Sequence, residues 1–299
     1  MLEFRDIDIS DRQWIEELLR KSDFMGCEYS FANNMAWHRL NGSKITRYKD
    51  FYAVCAFDTD DGVPTYIFPS GEGDYREILS EMSAHSAALG HSLRLWGVTK
   101  SGLEILNELY PEKFTAVLSR DSSDYIYLRE NLAELPGKKY HNKRNHLAKL
   151  EAYKWQYQRL TEEHFDDAIS FATKSYNAKN GIDDHSSVAE QYAINTYFTY
   201  FNELELLGGI IRIDGEIAAL TIGERLNSNT FCVHIEKADT KYNGIYVGIN
   251  NCFVKDCMKE YTYVNREEDL GLDGLRRSKS SYYPEFLIEK HLVTFNKTV

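Results

Sequence analysis

The chain has 299 residues, 43% of them hydrophobic and 27% charged, proportions that exclude a disordered or fibrous polymer and fit a globular protein. Its length suits two domains, or one large α/β domain. A formal net charge of −11 excludes a general nucleic-acid coat, because phosphate binding draws on clustered Lys and Arg, though it leaves room for a local basic site.

The opening Met1–Asp6 has neither the basic start nor the apolar core of a signal peptide. No apolar run approaches the roughly 18–20 residues that span a bilayer, so a cytoplasmic protein without membrane insertion is expected. Cys27, Cys55, Cys232, Cys252 and Cys257 form an odd set with no C-x-x-C pair, and neither a disulfide framework nor a metal site is expected.

In chain order, Phe51–Phe57 and Val63–Phe68 flank Asp60-Asp61-Gly62 and read as a hairpin. Tyr75, Ile78, Leu79, Met82 and Leu89 recur near helical spacing, followed by a strand Leu93–Val98, a helix Leu103–Leu109 and strands at Phe114–Leu118 and Tyr125–Leu128. Pro136-Gly137 breaks the chain, and a basic helix begins at Lys138 with no acidic residue before Glu151. Beyond a strand at Trp155–Leu160, Phe165, Ala168, Ile169 and Ala172 mark one helix and Tyr192, Thr196, Phe198, Phe201 and Leu204 another. Gly209–Ile213 and Glu216–Ile222 alternate about Asp214-Gly215, a hairpin; Thr230–Ile235 is a strand, Ile249–Tyr261 a helix, and Tyr261–Val264 a strand that leads into Asn265. The first half repeats this order in blurred form, which points to two related α/β domains.

Three polar runs could carry chemistry. Asn265–Tyr282 follows a strand and combines Asn265, Arg266, Glu267, Glu268 and Asp269 with Gly271, Gly274, Arg276, Arg277 and Lys279. Internal ion pairs on a solvated loop would use the same residues. His234-Ile235-Glu236-Lys237 ends a strand whose alternation puts His234 and Glu236 on one face; pairing parallel to Tyr261–Val264 would bring Glu236 near Asn265, where a carboxylate or imidazole could take a proton from an amine. A surface histidine and an ion-paired glutamate would read the same way. Lys138-Lys139-Tyr140-His141-Asn142-Lys143-Arg144 crowds like charges on one helix, so an opposing partner is expected, either an acidic patch such as Glu267–Asp269 or a phosphate-bearing ligand.

Gly137–His146, His234–Asp239 and Asn265–Tyr283 together make the chain resemble the family typified by the C-terminal domain of phosphatidylglycerol lysyltransferase, from about Tyr125 to Lys290. The resemblance implies an α/β fold of two tandem acyl-CoA N-acyltransferase-like (Gcn5-related) domains, each a mixed central sheet flanked by helices. On this basis residues 1–136 are the first domain, 137–154 a basic linking helix and 155–299 a second domain carrying the site. It also implies transfer of an acyl or aminoacyl group to an amine or hydroxyl of a small molecule or peptide, with aminoacyl-tRNA as donor in characterised relatives. Wider-superfamily enzymes use acyl-CoA, bound by a Gly-rich loop whose place here reads Lys241–Gly248, a weak form of the pattern.

For such a reaction Glu236 or Glu267 is the expected base, and Asn265, Arg266, Lys279 and Tyr282 complete the centre. Lys138, Lys139, Lys143, Arg144, Gly244, Tyr246, Arg276 and Lys279 are the expected donor-binding set. The alternative is a catalytically silent module of the same fold that recognises a nucleotide, a tRNA end or a peptide terminus.

Overall fold

The computed structural model describes residues 2–177 and 185–299. Its first elements are α1 (Arg12–Ser22), α2 (Phe31–Trp37), β1 (Ser43–Tyr48), β2 (Phe51–Ala56), β3 (Thr65–Ile67), β4 (Ser70–Gly71), α3 (Tyr75–Ala88), β5 (Arg94–Val98), α4 (Lys100–Leu109) and β6 (Phe114–Leu128). There follow α5 (Arg129–Glu134), α6 (His141–Leu150), β7 (Trp155–Arg159), α7 (Phe165–Asn177), α8 (His185–Thr199), β8 (Leu207–Ile213) and β9 (Glu216–Arg225). The last are β10 (Thr230–Ala238), α9 (Ile245–Cys257), β11 (Tyr263–Asn265), α10 (Asp273–Ser280) and β12 (Phe286–Phe295). Among the described residues no helix is long and apolar enough to cross a membrane.

These elements form two compact units that interleave along the sequence: Met1–Asp124, Glu268–Leu275 and Leu287–Val299 make unit 1, and Tyr125–Glu267 with Arg276–Phe286 make unit 2. The sequence places its breaks at 136 and 154; in the structure the division falls inside β6, the basic helix α6 lies within unit 2, and the C-terminal strand returns to unit 1. The return is a ladder, with His291 opposite Val98 and Val293 opposite Leu95. Pairing between residues so far apart leaves no local signal in sequence.

In unit 1, β1, β2 and β3 pair antiparallel, β3 and β5 pair parallel, and β12 closes antiparallel on β5. A parallel pair needs a crossover, and α3 supplies it. Asp74 caps the helix by accepting from the Arg76 amide, and Ile78, Leu79 and Met82 enter a core with Tyr66, Phe68, Leu95, Leu106, Val293 and Phe295. Full burial of each such aliphatic or phenyl side chain stabilises by about 1.5–3 kcal/mol.

Unit 1 also buries charge. Lys290 Nζ lies 2.7 Å from Asp124 Oδ1, 2.7 Å from Glu28 Oε2 and 3.4 Å from Cys27 Sγ. Burial alone would lower the ammonium's pKa, but Asp124, Cys27, Glu28 and Glu268 hold it well above its ordinary value.

Unit 2 begins at the end of β6, which pairs antiparallel with β11; β11 is parallel to β10, and β9, β8 and β7 follow antiparallel. Here α9 is the crossover. Asp214 and Gly215 both have positive φ (51° and 90°), the conformation that a two-residue hairpin between β8 and β9 requires. Ile211, Ile213, Ala218, Ala219, Ala238, Ile245 and Ile249 form the core under α9, with Leu150 from α6.

Gly244, at φ +88°, opens α9, and a Cβ there would stand 1.9 Å from the His146 carbonyl oxygen; one at Gly248 would stand 2.4 Å from Leu150 Cδ2. These glycines therefore let α6 lie against the first turn of α9. Removing Lys290 should leave two carboxylates buried without a cation. Lys290→Ala is expected to lower unfolding free energy by about 3–5 kcal/mol in urea titration; an unchanged midpoint would contradict that account of unit 1.

Candidate functional site

The candidate site lies in unit 2, at the carboxyl ends of its parallel strands, where α/β sheets commonly bind ligands. Cys232 on β10 is opposite Asn265, the last residue of β11, so β10 runs on to Ala238 after β11 has ended. Glu236 thus projects past the end of its neighbour, where the chain turns away through Arg266 and Glu267. The turn is fixed by the Glu267 amide, which donates to Asn265 Oδ1 at 2.7 Å, and by backbone bonds from Arg266 N to Tyr125 O and from Tyr125 N to Glu267 O. The expected parallel pairing and the approach of Glu236 to the Asn265 turn are both present.

Arg266 donates from Nη2 to Glu236 Oε1 at 2.7 Å, and Asn250 of α9 donates to Glu236 Oε2 at 3.0 Å, so both carboxylate oxygens are held. The guanidinium carbon is 4.8 Å from the Tyr282 ring centre and 5.7 Å from that of Tyr127. Burial opposes the Arg266 charge, but Glu236, Tyr127 and Tyr282 more than offset it, and its pKa is raised. Arg266 is only 9% exposed, and its second terminal nitrogen, Nη1, is buried with no hydrogen-bond partner. A buried N–H left over in this way costs about 1–3 kcal/mol, a cost that a bound anionic or carbonyl oxygen would relieve.

Lys143 of α6 shares the Tyr282 ring, its Nζ 3.5 Å from the ring centre and 2.7 Å from Ser281 Oγ. Burial first, and then Arg266, push this ammonium down to about 8, while Glu236 pulls it up. Burial raises the pKa of the Tyr282 phenol, so at neutral pH it is a donor rather than a base.

The other sequence-picked residues are placed differently. Lys279 is buried and donates to the Arg266 carbonyl at 2.6 Å, bracing the turn from behind. Arg144 donates to the Leu135 and Gly137 carbonyls, and Lys139 lies 5.2 Å and 5.6 Å from the Tyr140 and Tyr283 rings. Lys138 is exposed and Arg276 half-buried. Gly244 faces the α6 backbone, and Tyr246 packs half-buried on the core under α9.

Glu267–Asp269 do not form a single acidic patch. Glu267 lies 2.8 Å from His234, while Glu268 and Asp269 belong to unit 1, near Cys27 at 3.6 Å and Arg120 at 3.3 Å. Nor do His234 and Glu236 act as one face. A bulge between Val233 and Ile235 breaks the alternation, and His234 instead meets Glu224, Glu267 and the stacked Tyr197 ring.

Asn250, Tyr127 and Tyr140 were not picked from sequence, although Tyr140 Oη donates to the Tyr282 carbonyl at 2.9 Å and Tyr127 Oη to that of Lys279 at 2.8 Å. The signal available was the amide pair Asn250-Asn251 in the otherwise apolar stretch Ile245–Val254 of α9, because buried polar side chains are held in place by partners.

The chain matches the family described as phosphatidylglycerol lysyltransferase, C-terminal, over residues 19–294. It is similar to a crystal structure of a conserved protein of unknown function from Bacteroides thetaiotaomicron, with 33% identity and a TM-score of 0.94 over 99% of this chain and 100% of that one. The L-PGS structure from Bacillus licheniformis aligns with 12% identity and a TM-score of 0.67 over 95% of this chain and 91% of that one. A tandem GNAT protein from the clavulanic acid biosynthesis pathway gives 11% identity and a TM-score of 0.51 over 99% and 98%. The last two likenesses concern the fold, and with the architecture above they make this a tandem GNAT-like α/β protein, as the sequence implied. No curated protein matches the chain.

The geometry around Lys143 makes a titration prediction. Glu236→Gln removes the upward pull, so Lys143 should titrate below 8 in that variant, read by NMR of 13C-dimethylated lysines; an unchanged value would show that the carboxylate does not act on it. Because the folded value lies below the ordinary 10.5, the unfolded chain binds more protons between the two, and the stability contribution of Lys143 should rise with pH across that window.

Proposed function

The chain belongs to the phosphatidylglycerol lysyltransferase C-terminal family, and on that footing we propose that unit 2 moves an acyl or aminoacyl group from an activated donor to an amine or hydroxyl acceptor. The observation that carries this reading is the buried, unpartnered Arg266 Nη1, on a guanidinium that lies against the same Tyr282 ring as the Lys143 amine. An acyl transfer needs a preorganised donor for a developing oxyanion and a base for the acceptor's proton.

In this mechanism the acceptor nitrogen or oxygen attacks the donor's ester or thioester carbonyl. The new bond to carbon forms as the carbonyl π pair moves onto oxygen, where Arg266 Nη1 donates. Glu236, held at both oxygens, keeps the guanidinium aimed. Lys143, partly neutral near pH 8, accepts the acceptor's proton, and the departing alcohol or thiol takes it as the carbonyl re-forms. Glu236 thereby orients Arg266, and Glu267, engaged with His234, lies outside the proton path.

The exposed Lys138 and Lys139 would meet donor phosphates. Between donor classes, the seating of α6 on Gly244 and Gly248 favours aminoacyl-tRNA. In the wider superfamily the corresponding glycine loop receives a CoA pyrophosphate, whereas here the His146 carbonyl stands against Gly244 and the Leu150 side chain against Gly248.

Purified protein incubated with charged tRNAs and with a panel of acyl-CoAs should show thermal protection and acylated acceptor, by mass spectrometry, with the tRNA class. Arg266→Gln is expected to lower kcat by about 10²–10³-fold, the loss typical of one oxyanion donor. Lys143→Met should remove the limb near pH 8 from the kcat profile. Binding with no product from any donor would identify a silent module instead, and full activity in Arg266→Gln would end this assignment of roles.

A further inference from the structure

We propose that Cys232, His234 and Glu267 form a binding site for one transition-metal dication of the zinc class, independent of the acyl-transfer reading. Cys232 Sγ lies 3.7 Å from His234 Nδ1 and 3.9 Å from Glu267 Oε1, and Nδ1 lies 2.8 Å from Oε1. A point about 2.1 Å from all three atoms exists in their plane, against zinc–ligand lengths of about 2.0–2.3 Å. Ideal tetrahedral edges are about 3.3–3.6 Å, so the Nδ1–Oε1 pair needs to open by about 0.5 Å and the two sulfur edges, at 3.7 and 3.9 Å, to close by about 0.1–0.3 Å. One thiol, one imidazole and one carboxylate is a donor set that zinc accepts and that calcium or magnesium, which prefer oxygen, does not.

The local fold explains how the atoms converge. Residues two apart on a regular strand are about 6.6 Å apart at Cα. His234 sits in the bulge between Val233 and Ile235, and the bulge turns its ring toward the Cys232 sulfur. On its far side Nε2 is 3.0 Å from Glu224 Oε1, the carboxylate contact that fixes ring orientation and nitrogen choice in many metal sites. Tyr197 stacks on the ring at 5.4 Å and 11°. Glu267 arrives from the turn after β11.

The same three side chains could be read as a cysteine nucleophile with its base. Cys232 has no exposed surface, however, whereas Arg266 keeps 9% of its own, so an acyl carbon has no line of approach to the sulfur. A single ion needs none, and the 21% exposure of the Glu267 side chain leaves it a way in. Binding would expel the thiol proton and any proton on Nδ1, so affinity should rise with pH. The ion would pin the Asn265–Glu267 turn to β10, and with it the residue between them, Arg266.

The test uses the full chain, stripped with chelator and titrated with Co(II) alone. One equivalent should produce the near-ultraviolet thiolate-to-cobalt charge-transfer band, and Zn(II) should displace it. The band should vanish in Cys232→Ser and persist in Cys27→Ser, which removes the sulfur of the other three-ligand cluster, Cys27 with Asp124 and Glu268. Glu224→Gln should keep the band and weaken cobalt affinity by about 10–100-fold. Absence of the band in the unmutated chain at one equivalent, or its survival in Cys232→Ser, would overturn the proposal, and the first readout depends on no variant folding.

Discussion

The contact on which unit 2 depends is the buried ion pair of Arg266 and Glu236. Two charges withdrawn from water lose hydration that their mutual attraction restores only when the remaining polar atoms are also satisfied. Glu236 meets that condition, since Arg266 takes one oxygen and Asn250 the other. Arg266 meets it on one side only. The Tyr127 and Tyr282 rings accept its charge in part, Lys279 holds its carbonyl, and Nη1 is left over. A pair that is complete at the carboxylate and incomplete at the guanidinium is directional, and that unfilled direction is the ground on which a site is proposed there.

The strand register creates that pair. β11 stops at Asn265 while its parallel neighbour continues to Ala238, so the backbone that turns away at Arg266 faces a strand that still has side chains to offer. The α9 crossover is the necessary consequence of the parallel pairing, and it delivers Asn250 to the same carboxylate. Unit 1 repeats the plan in its own terms: β3 and β5 are parallel, α3 crosses between them, and a buried cation, Lys290, is held by Asp124 and Glu28. The arrangement of carboxylates around a single cation differs between the units: two carboxylates hold Lys290, and one carboxylate holds Arg266.

Much of this was legible in sequence because it is local. The hairpin at Asp214-Gly215, the helical spacing of Phe165, Ala168 and Ala172, and the strand leading into Asn265 are periodicities and turn chemistries that a short window contains. The match of the two halves in element order followed from the same signals. Asn250 escaped notice because a buried amide in an apolar helix announces itself only when its partner is known. Gly244 and Gly248 looked like a phosphate loop because glycine marks any close approach, and sequence does not say whether a ligand or another helix approaches. Lys279 looked like a ligand-binding base because charged residues are mostly exposed, whereas here the ammonium is buried on a carbonyl.

The sequence by itself determined the α/β class, the tandem repetition, the family and the approach of Glu236 to the Asn265 turn, since each rests on patterns of neighbouring residues or on motifs kept in order along the chain. Only the tertiary structure decided that the C-terminal strand belongs to unit 1, that the acids at 267–269 divide between two units, that a bulge parts His234 from Glu236, and that Lys143 lies on Tyr282 with its pKa pushed down to about 8. Those are matters of register, burial and long-range contact, set by which distant surfaces exclude water together, and no stretch of sequence contains them on its own.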